Sequence, residues 1–270
     1  MDQLIKLALE EDFGRGDGTS EAIFSADARV SGKIFAKEPL TLAGIDVARA
    51  VFARVDPRIR FEAAVADGTR LTVGQSVVSV QGPTRSVLAA ERTALNFLQR
   101  LSGVATLTRT FVDAVSGTRA KICDTRKTIP GFRALDKAAV KAGGGANHRA
   151  DLASGILIKD NHVAAAGGVG AAVKLARAGA PHSLRIEVEV TRLDQIEEAI
   201  AAGAEIVLLD NMTPELVRKA VTQISGRVII EVSGGVNLNN VRAMAEAGPD
   251  LISIGALTHS APAVDLSLEV

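Results

Sequence analysis

The chain has 270 residues, 47% of them apolar, which is enough for one sizeable core or for two domains at roughly 150 residues each. Lysine plus arginine equals aspartate plus glutamate at 31 each, so no global field draws nucleic acid or a membrane surface, and any anion binding must be local. Aromatic residues make up 3% with no Trp or Tyr, which removes the stacking platforms of single-stranded nucleic-acid binders, and a single cysteine, Cys123, leaves no intramolecular disulfide and fits a reducing cytoplasm.

The opening "MDQLIKLALEED" is broken by Asp2, Lys6, Glu10 and Glu11, so it reads as an amphipathic helix on Leu4, Ile5, Ala8 and Leu9 and not as a signal peptide. No stretch approaches the roughly 18 apolar residues of a membrane span. "EDFGRGDGTS" is a loop, and "SGKIFAKEPL" and "QSVVSVQG" alternate as sheet strands do, so residues 1–86 form an α+β module. Residues 87–115 predict one or two long helices with Leu88, Leu95, Leu98 and Leu101 in a stripe. Arg92 falls on or beside that stripe, either packing its stem while its head reaches water or meeting a partner.

From residue 119 a repeat of strand and helix sets in. The strands are "AKICD" (120–124), "GILIKD" (155–160), "LRIEVEV" (184–190), "EIVLLD" (205–210), "RVIIEVS" (227–233) and "DLISIG" (250–255), separated later on by helices such as "LDQIEEAIAAG", "PELVRKAVTQI" and "NLNNVRAMAEAG". Such βαβ units build a parallel sheet. No G-x-G-x-x-G follows the first strand, and nearly every strand ends in a charged, polar or glycine residue, which favours an incomplete barrel of six or seven strands with its site at the C-terminal face.

Those strand ends deliver Arg126 and Lys127, then Lys159, Glu189, Asp210, Ser233 with Gly234 and Gly235, and Gly255 with His259 nearby; "KAGGGANHRADL" adds His148 and Arg149. Residues 121–160 hold eight cations against four anions. A dry cluster of unpaired cations would cost several kcal/mol per ion, so the group is either wet or built for an anionic ligand. Arginine suits bidentate recognition of carboxylate or phosphate, and lysine acts as a point charge. The glycines of "EVSGGV" and "SIGALTH" fit a phosphate cradle in the last two loops. Glu189 and Asp210 end consecutive strands and could bind Mg²⁺, hold ribose hydroxyls or form structural ion pairs. No Cys/His cluster supports zinc, and no Ser-His-Asp order can be argued.

Taken together, "DTRKTIPGFR", "AGGGANHRADL", "ILIKDNH", "EVEV", "LLDNM", "EVSGGV" and "GALTHSAPAVDLSL", with "EDFGRGDGTS" and "ERTALNFLQRLSG" upstream, closely resemble the quinolinate phosphoribosyltransferase family from end to end. The resemblance implies an α/β protein: an N-terminal α/β sandwich domain with an interface helix over 1–104, an incomplete, seven-stranded α/β barrel over 105–260, and a tail, 261–270, returning to the N-terminal domain. It implies a cytoplasmic homodimer with sites completed across the interface, a reaction of quinolinate with phosphoribosyl diphosphate, and Mg²⁺. Carried over by position, Arg126, Arg149 and Lys159, with His148 and the partner chain's Arg92, would hold the quinolinate carboxylates. Lys127 would meet pyrophosphate, and Glu189 and Asp210 would face the ribose and the metal, directly or indirectly. Ser233, Gly234, Gly235, Gly255 and His259 would line the 5′-phosphate site. Lys127, Lys159, Glu189 and Asp210 are the catalytic candidates. The chain departs from the pattern at Ala138, where many relatives carry Tyr, and at Ile129, which keeps two alternatives open: a molybdenum-transport-associated relative acting on another acid, and a non-catalytic anion-binding protein.

Overall fold

The computed structural model describes residues 1–270. In chain order, α1 (Asp2–Phe13) buries Ile5 and Leu9 as its spacing predicts, and α2 (Gly18–Ile23) starts where Asp17 accepts a hydrogen bond from the Ser20 N–H at 3.0 Å. β1 (Arg29–Ala36), β2 (Leu40–Thr41), α3 (Ile45–Val55), β3 (Arg60–Ala63), β4 (Arg70–Leu71) and β5 (Ser76–Pro83) follow, and the predicted helical stretch is one helix, α4 (Thr84–Ala114). Beyond it lie β6 (Lys121–Cys123), α5 (Arg133–Ala142), β7 (Ile156–Ile158), α6 (Asp160–Ala166), α7 (Val169–Gly179), β8 (Ile186–Val190) and α8 (Asp194–Ala201). The chain ends with β9 (Ile206–Asp210), α9 (Pro214–Ile224), β10 (Ile229–Ser233), α10 (Val241–Glu246), β11 (Leu251–Ser253), α11 (Ala256–His259) and β12 (Leu266–Glu269). No helix is long and apolar enough to cross a membrane.

Two compact units emerge: Met1–Arg109 with Ile129–Gly144 and Thr258–Val270, and Thr110–Thr128 with Gly145–Leu257. The expected barrel span 105–260 is therefore interrupted, because α5 packs within the first unit. Phe132 stacks on Phe97 at 5.7 Å, Asp136 faces Arg100 at 3.5 Å, and Gly143 lies so close to α4 that a Cβ there would sit 2.5 Å from the Ala105 carbonyl oxygen. Arg133, Lys137 and Lys141, counted in the basic stretch, go with this unit.

The first unit holds an antiparallel sheet in the order β12-β1-β5-β3 and a short β2–β4 pair. The terminal segment runs back along α4, where the Val264 N–H donates to the Gln99 carbonyl at 3.2 Å and Gln99 Nε2 donates to the Leu266 carbonyl at 3.0 Å. In this unit Asp56 is buried and accepts hydrogen bonds from Arg58 and from Ser86, at 2.8 Å for the latter, and these hold its carboxyl well below the usual carboxylate range. A carboxyl depressed by folding stabilises the protein above its unfolded value near 3.9 and loses that contribution as pH falls through the folded value. Asp56→Asn is thus expected to cost about 1–3 kcal/mol in urea unfolding at pH 7, with the gap to the parent closing as pH falls below about 4.

The second unit is a parallel sheet in the order β6-β11-β10-β9-β8-β7. All six predicted strands are present; in place of a seventh, Cys123 forms one isolated parallel bridge with Ala146. Alternation sorts the residues by face. Val188, Val207, Leu209, Val232 and Ile252, each fully buried, occupy one face. Glu187, Glu189, Asp210, Glu231, Ser233 and Ser253 occupy the other. The apolar face is what the helices cover, at roughly 1.5–3 kcal/mol per large side chain buried, and it fixes the register that aims the polar face.

Candidate active site

Register sets the levels on the polar face. Glu189, Leu208 and Glu231 lie side by side on β8, β9 and β10, and Asp210 and Ser233 lie side by side one step further toward the strands' C-terminal ends. Lys159 directly follows β7, and its Nζ is 3.4 Å from Glu189 Oε2. Burial pushes the Glu189 carboxyl above its ordinary value; Lys159 pulls it down and the Asp210 carboxylate pushes it up again. Asp210 Oδ2 accepts from Asn211 Nδ2 at 2.7 Å, and the Asn211 backbone N–H donates to the Ser233 carbonyl at 2.9 Å. Next to it Gly234 has φ +88° and no room: a Cβ would lie 2.3 Å from Asn211 Oδ1. Gly235, at φ +65°, has nothing within 4 Å of where a Cβ would be. Two successive left-handed glycines turn the loop back on itself beside open space, the backbone geometry in which N–H groups cradle an anion.

The basic side is built from the segments after β6 and before β7. Asp124, fully buried, accepts the His148 backbone N–H at 2.8 Å and so ties the two segments together. Arg149 donates from Nη1 to the Gly155 carbonyl at 3.0 Å, while its buried Nε–H meets no protein acceptor. Burial first, and the Arg126 guanidinium second, push Arg149 below its ordinary value, with Glu187 and Asp151 opposing. Two guanidinium groups held against each other and one donor left over describe a site that an anion completes. Lys127 is exposed, with its backbone N–H bonded to Thr125 Oγ1 at 3.0 Å. Gly255 follows β11 and is half-buried.

Eleven of the thirteen expected site residues thus lie in the second unit, and Arg92 and His259 lie in the first. Arg92 is exposed on α4, whereas Leu95, Leu98 and Leu101 are buried, so it stands beside the stripe with its head in water. His259 ends α11 with Nδ1 2.6 Å from Ser260 Oγ. Ala138 is exposed and Ile129 is 40% exposed. A cavity of about 430 Å³ on the first unit's sheet, beside Lys33, Arg60 and Glu62, is lined by none of the thirteen residues.

Glu187 and Glu231 were absent from the expected set, yet they bring carboxylates next to His148: Nε2 is 3.2 Å from Glu187 Oε2 and 3.6 Å from Glu231 Oε1. The signal was a glutamate in the middle of an otherwise apolar strand, in "IEVEV" and in "IIEVS". β8 and β10 are separated by β9, roughly 10 Å apart at ordinary strand spacing, and the two glutamate side chains converge from either side on one imidazole.

Family descriptions reading "Quinolinate phosphoribosyl transferase, C-terminal domain" and "N-terminal domain" match residues 104–269 and 17–102. The chain is 45% identical over 274 residues to a nicotinate-nucleotide pyrophosphorylase (carboxylating) of Mycobacterium leprae, covering 98% of this chain and 95% of that one. It is 40% identical over 287 residues to the mitochondrial quinolinate phosphoribosyltransferase (decarboxylating) 2b of Nicotiana tabacum, covering 99% and 81%. The crystal structure of NadC from Streptococcus pyogenes superposes with a TM-score of 0.96 at 44% identity, covering 100% of this chain and 95% of that one.

Proposed function

The chain belongs to the quinolinate phosphoribosyltransferase family, and from that premise we propose that it joins quinolinate to phosphoribosyl diphosphate with loss of CO₂, giving nicotinate mononucleotide and pyrophosphate for NAD biosynthesis. The observation that carries the reading is the sorting of charge in the second unit: Arg126 against Arg149 on one side, and Glu189 beside Asp210 with the Gly234-Gly235 turn on the other.

The chemistry follows from that sorting. Arg126, Arg149 and Lys159, assisted by His148, hold the two carboxylates of the acid, and Lys159 also lies 3.4 Å from the Glu189 carboxylate. Pyrophosphate departs with the bonding pair from the ribose anomeric carbon, and Lys127 meets it. Glu189 and Asp210 stabilise the oxocarbenium character left behind, and the pyridine nitrogen donates its pair to that carbon while both substrates are fixed. The ring is then cationic. Cleavage of the bond to the adjacent carboxylate releases CO₂ and leaves the electron pair on a ring carbon, where the positive nitrogen stabilises it until a proton arrives. Ser233, the two glycines and Gly255 take the 5′-phosphate.

Glu189 and Asp210 also fit a magnesium ion, since two carboxylates on adjacent strands, the Asp210 charge raising the proton affinity of Glu189, gain from a hard cation. Bound there, Mg²⁺ would neutralise charge on the diphosphate. The active form in this reading is a homodimer in which the partner chain's Arg92 reaches the acid, in keeping with its exposed position on α4.

The test is a coupled assay with phosphoribosyl diphosphate, Mg²⁺ and either quinolinate or nicotinate. Turnover with quinolinate alone and one CO₂ per nucleotide is expected. Turnover on a different acid only, or binding of phosphoribosyl diphosphate without turnover, overturns the reading. For the shared site, mixing inactive Arg92→Ala and Arg126→Ala chains is expected to restore part of the activity; verified heterodimers that stay inactive would remove Arg92 from the site.

A further inference from the structure

We propose that Glu187 and Glu231 are positioning residues that hold the His148 ring doubly protonated, making it a fixed cation for the acid substrate. The inference rests on the reading that the second unit binds quinolinate, and deepens it by naming what sets the charge of one of its ligands.

Three elements supply the group. His148 follows the Cys123–Ala146 bridge, Glu187 is on β8 and Glu231 is on β10. The side chains are 14%, 7% and 1% exposed, so water does little of the solvation. Glu187 Oε1 and Glu231 Oε1 meet no hydrogen-bond donor in the protein. Two buried carboxylates sharing so few donors weaken a fold, because desolvation outweighs what their partners return. Their presence is accounted for if the charge they impose is used.

What they impose falls on the ring. Nε2 faces carboxylate oxygens of both glutamates, so it carries a proton and donates a hydrogen bond to Glu187. Any hydrogen bond from Nδ1 to an anionic ligand then needs the second proton, and only the imidazolium supplies it. A neutral ring in this orientation would offer a bound carboxylate a lone pair. The charged groups around the segment are Asp124 at the end of β6, Arg126 beyond it, Arg149 and Asp151 on the segment itself, Glu187 on β8 and Glu231 on β10. The guanidinium groups work against a charged ring, and the carboxylates, two of them within 3.6 Å of Nε2, work for it. Burial, with the Glu187 charge added, pushes the Glu231 carboxyl up to about 7, while His148 pulls it down. The imidazolium beside it and a hydrogen bond from Ser253 on β11 both favour the charged carboxylate.

The test is ¹⁵N-histidine NMR on the full-length protein, which has four histidines, with His148→Asn used to assign the signal. The His148 ring is expected to titrate above the ordinary histidine value of about 6.5, and to fall by about one pH unit or more in Glu187→Gln and Glu231→Gln. In kinetics, both variants are expected to raise KM for quinolinate roughly tenfold at pH 8 with KM for phosphoribosyl diphosphate nearly unchanged, and to move the alkaline limb of kcat/KM for quinolinate to lower pH. Glu231→Asp, which keeps the charge, should restore most of the limb. A purely structural role would lower the melting temperature and raise both KM values without moving the limb, and that outcome overturns the proposal. So does a wild-type His148 ring that stays singly protonated down to about pH 6, as a metal ligand or a plain hydrogen-bonded core histidine would. The wild-type titration decides the matter even if the variants fail to fold. A raised His148 titration in a protein that does not turn over quinolinate would leave the charge assignment standing and sink the substrate reading instead.

Discussion

Glu189→Gln lowers kcat by roughly 10²–10³-fold, the range seen when one preorganised charge-stabilising group is removed, and does so without lowering the melting temperature. The first half follows from placement: Glu189 sits between the Lys159 ammonium and the Asp210 carboxylate at the end of β8, where the proposed reaction develops positive charge on the ribose as pyrophosphate leaves. The second half follows from cost. Burial and Asp210 both disfavour a charge at this position and only Lys159 favours it, so the neutral amide relieves more than it forfeits in the resting protein. A residue that weakens the fold and speeds the reaction is the mark of a functional site. Steady-state kinetics in both substrates, paired with thermal melts, check it. A variant with kcat close to the parent's would remove Glu189 from the reacting centre, and a fall in melting temperature matching the loss of activity would make its role structural.

Most of the second unit could be read from sequence because its signals are local. "EIVLLD" and "RVIIEVS" are short apolar runs closed by a polar residue, and the structure trims them only to Ile206–Asp210 and Ile229–Ser233. "PELVRKAVTQI" carries its own start, with Thr213 accepting the Leu216 N–H and Pro at the first turn. What stayed hidden depends on contacts between distant segments. Residues 129–144 follow β6 in the chain, and nothing local says that Phe132 and Asp136 pack on Phe97 and Arg100 of α4. Likewise Glu187 and Glu231 show as charges inside strands, but their meeting at His148 depends on the order β10-β9-β8 and on where the segment before β7 places the imidazole. The strand-end residues were legible because alternation puts every second residue on one face. Their division between two anions was not, since spacing alone assigns no ligand and that step came from the family resemblance.

Arg149→Ala raises KM for quinolinate about 10- to 150-fold, corresponding to about 1.5–3 kcal/mol for a charge-assisted hydrogen bond, with a much smaller change in KM for phosphoribosyl diphosphate. The guanidinium is anchored by Nη1 at the Gly155 carbonyl, so its fork is oriented before a ligand arrives, and little side-chain entropy remains to be lost on binding. Its buried Nε–H has no protein acceptor, a deficit that a carboxylate oxygen makes good. Arg126 nearby repels it, so Arg149 gains when a dianion sits beside the pair. For the same reason Arg149→Lys should recover little: an ammonium keeps the charge but loses the planar pair of donors, and the Gly155 anchor fits a guanidinium. If Lys restores the parent KM, the contact is a point charge and the bidentate clamp is wrong. If Ala raises the two KM values equally, Arg149 holds the loop between Gly145 and Gly155 in shape and touches no substrate.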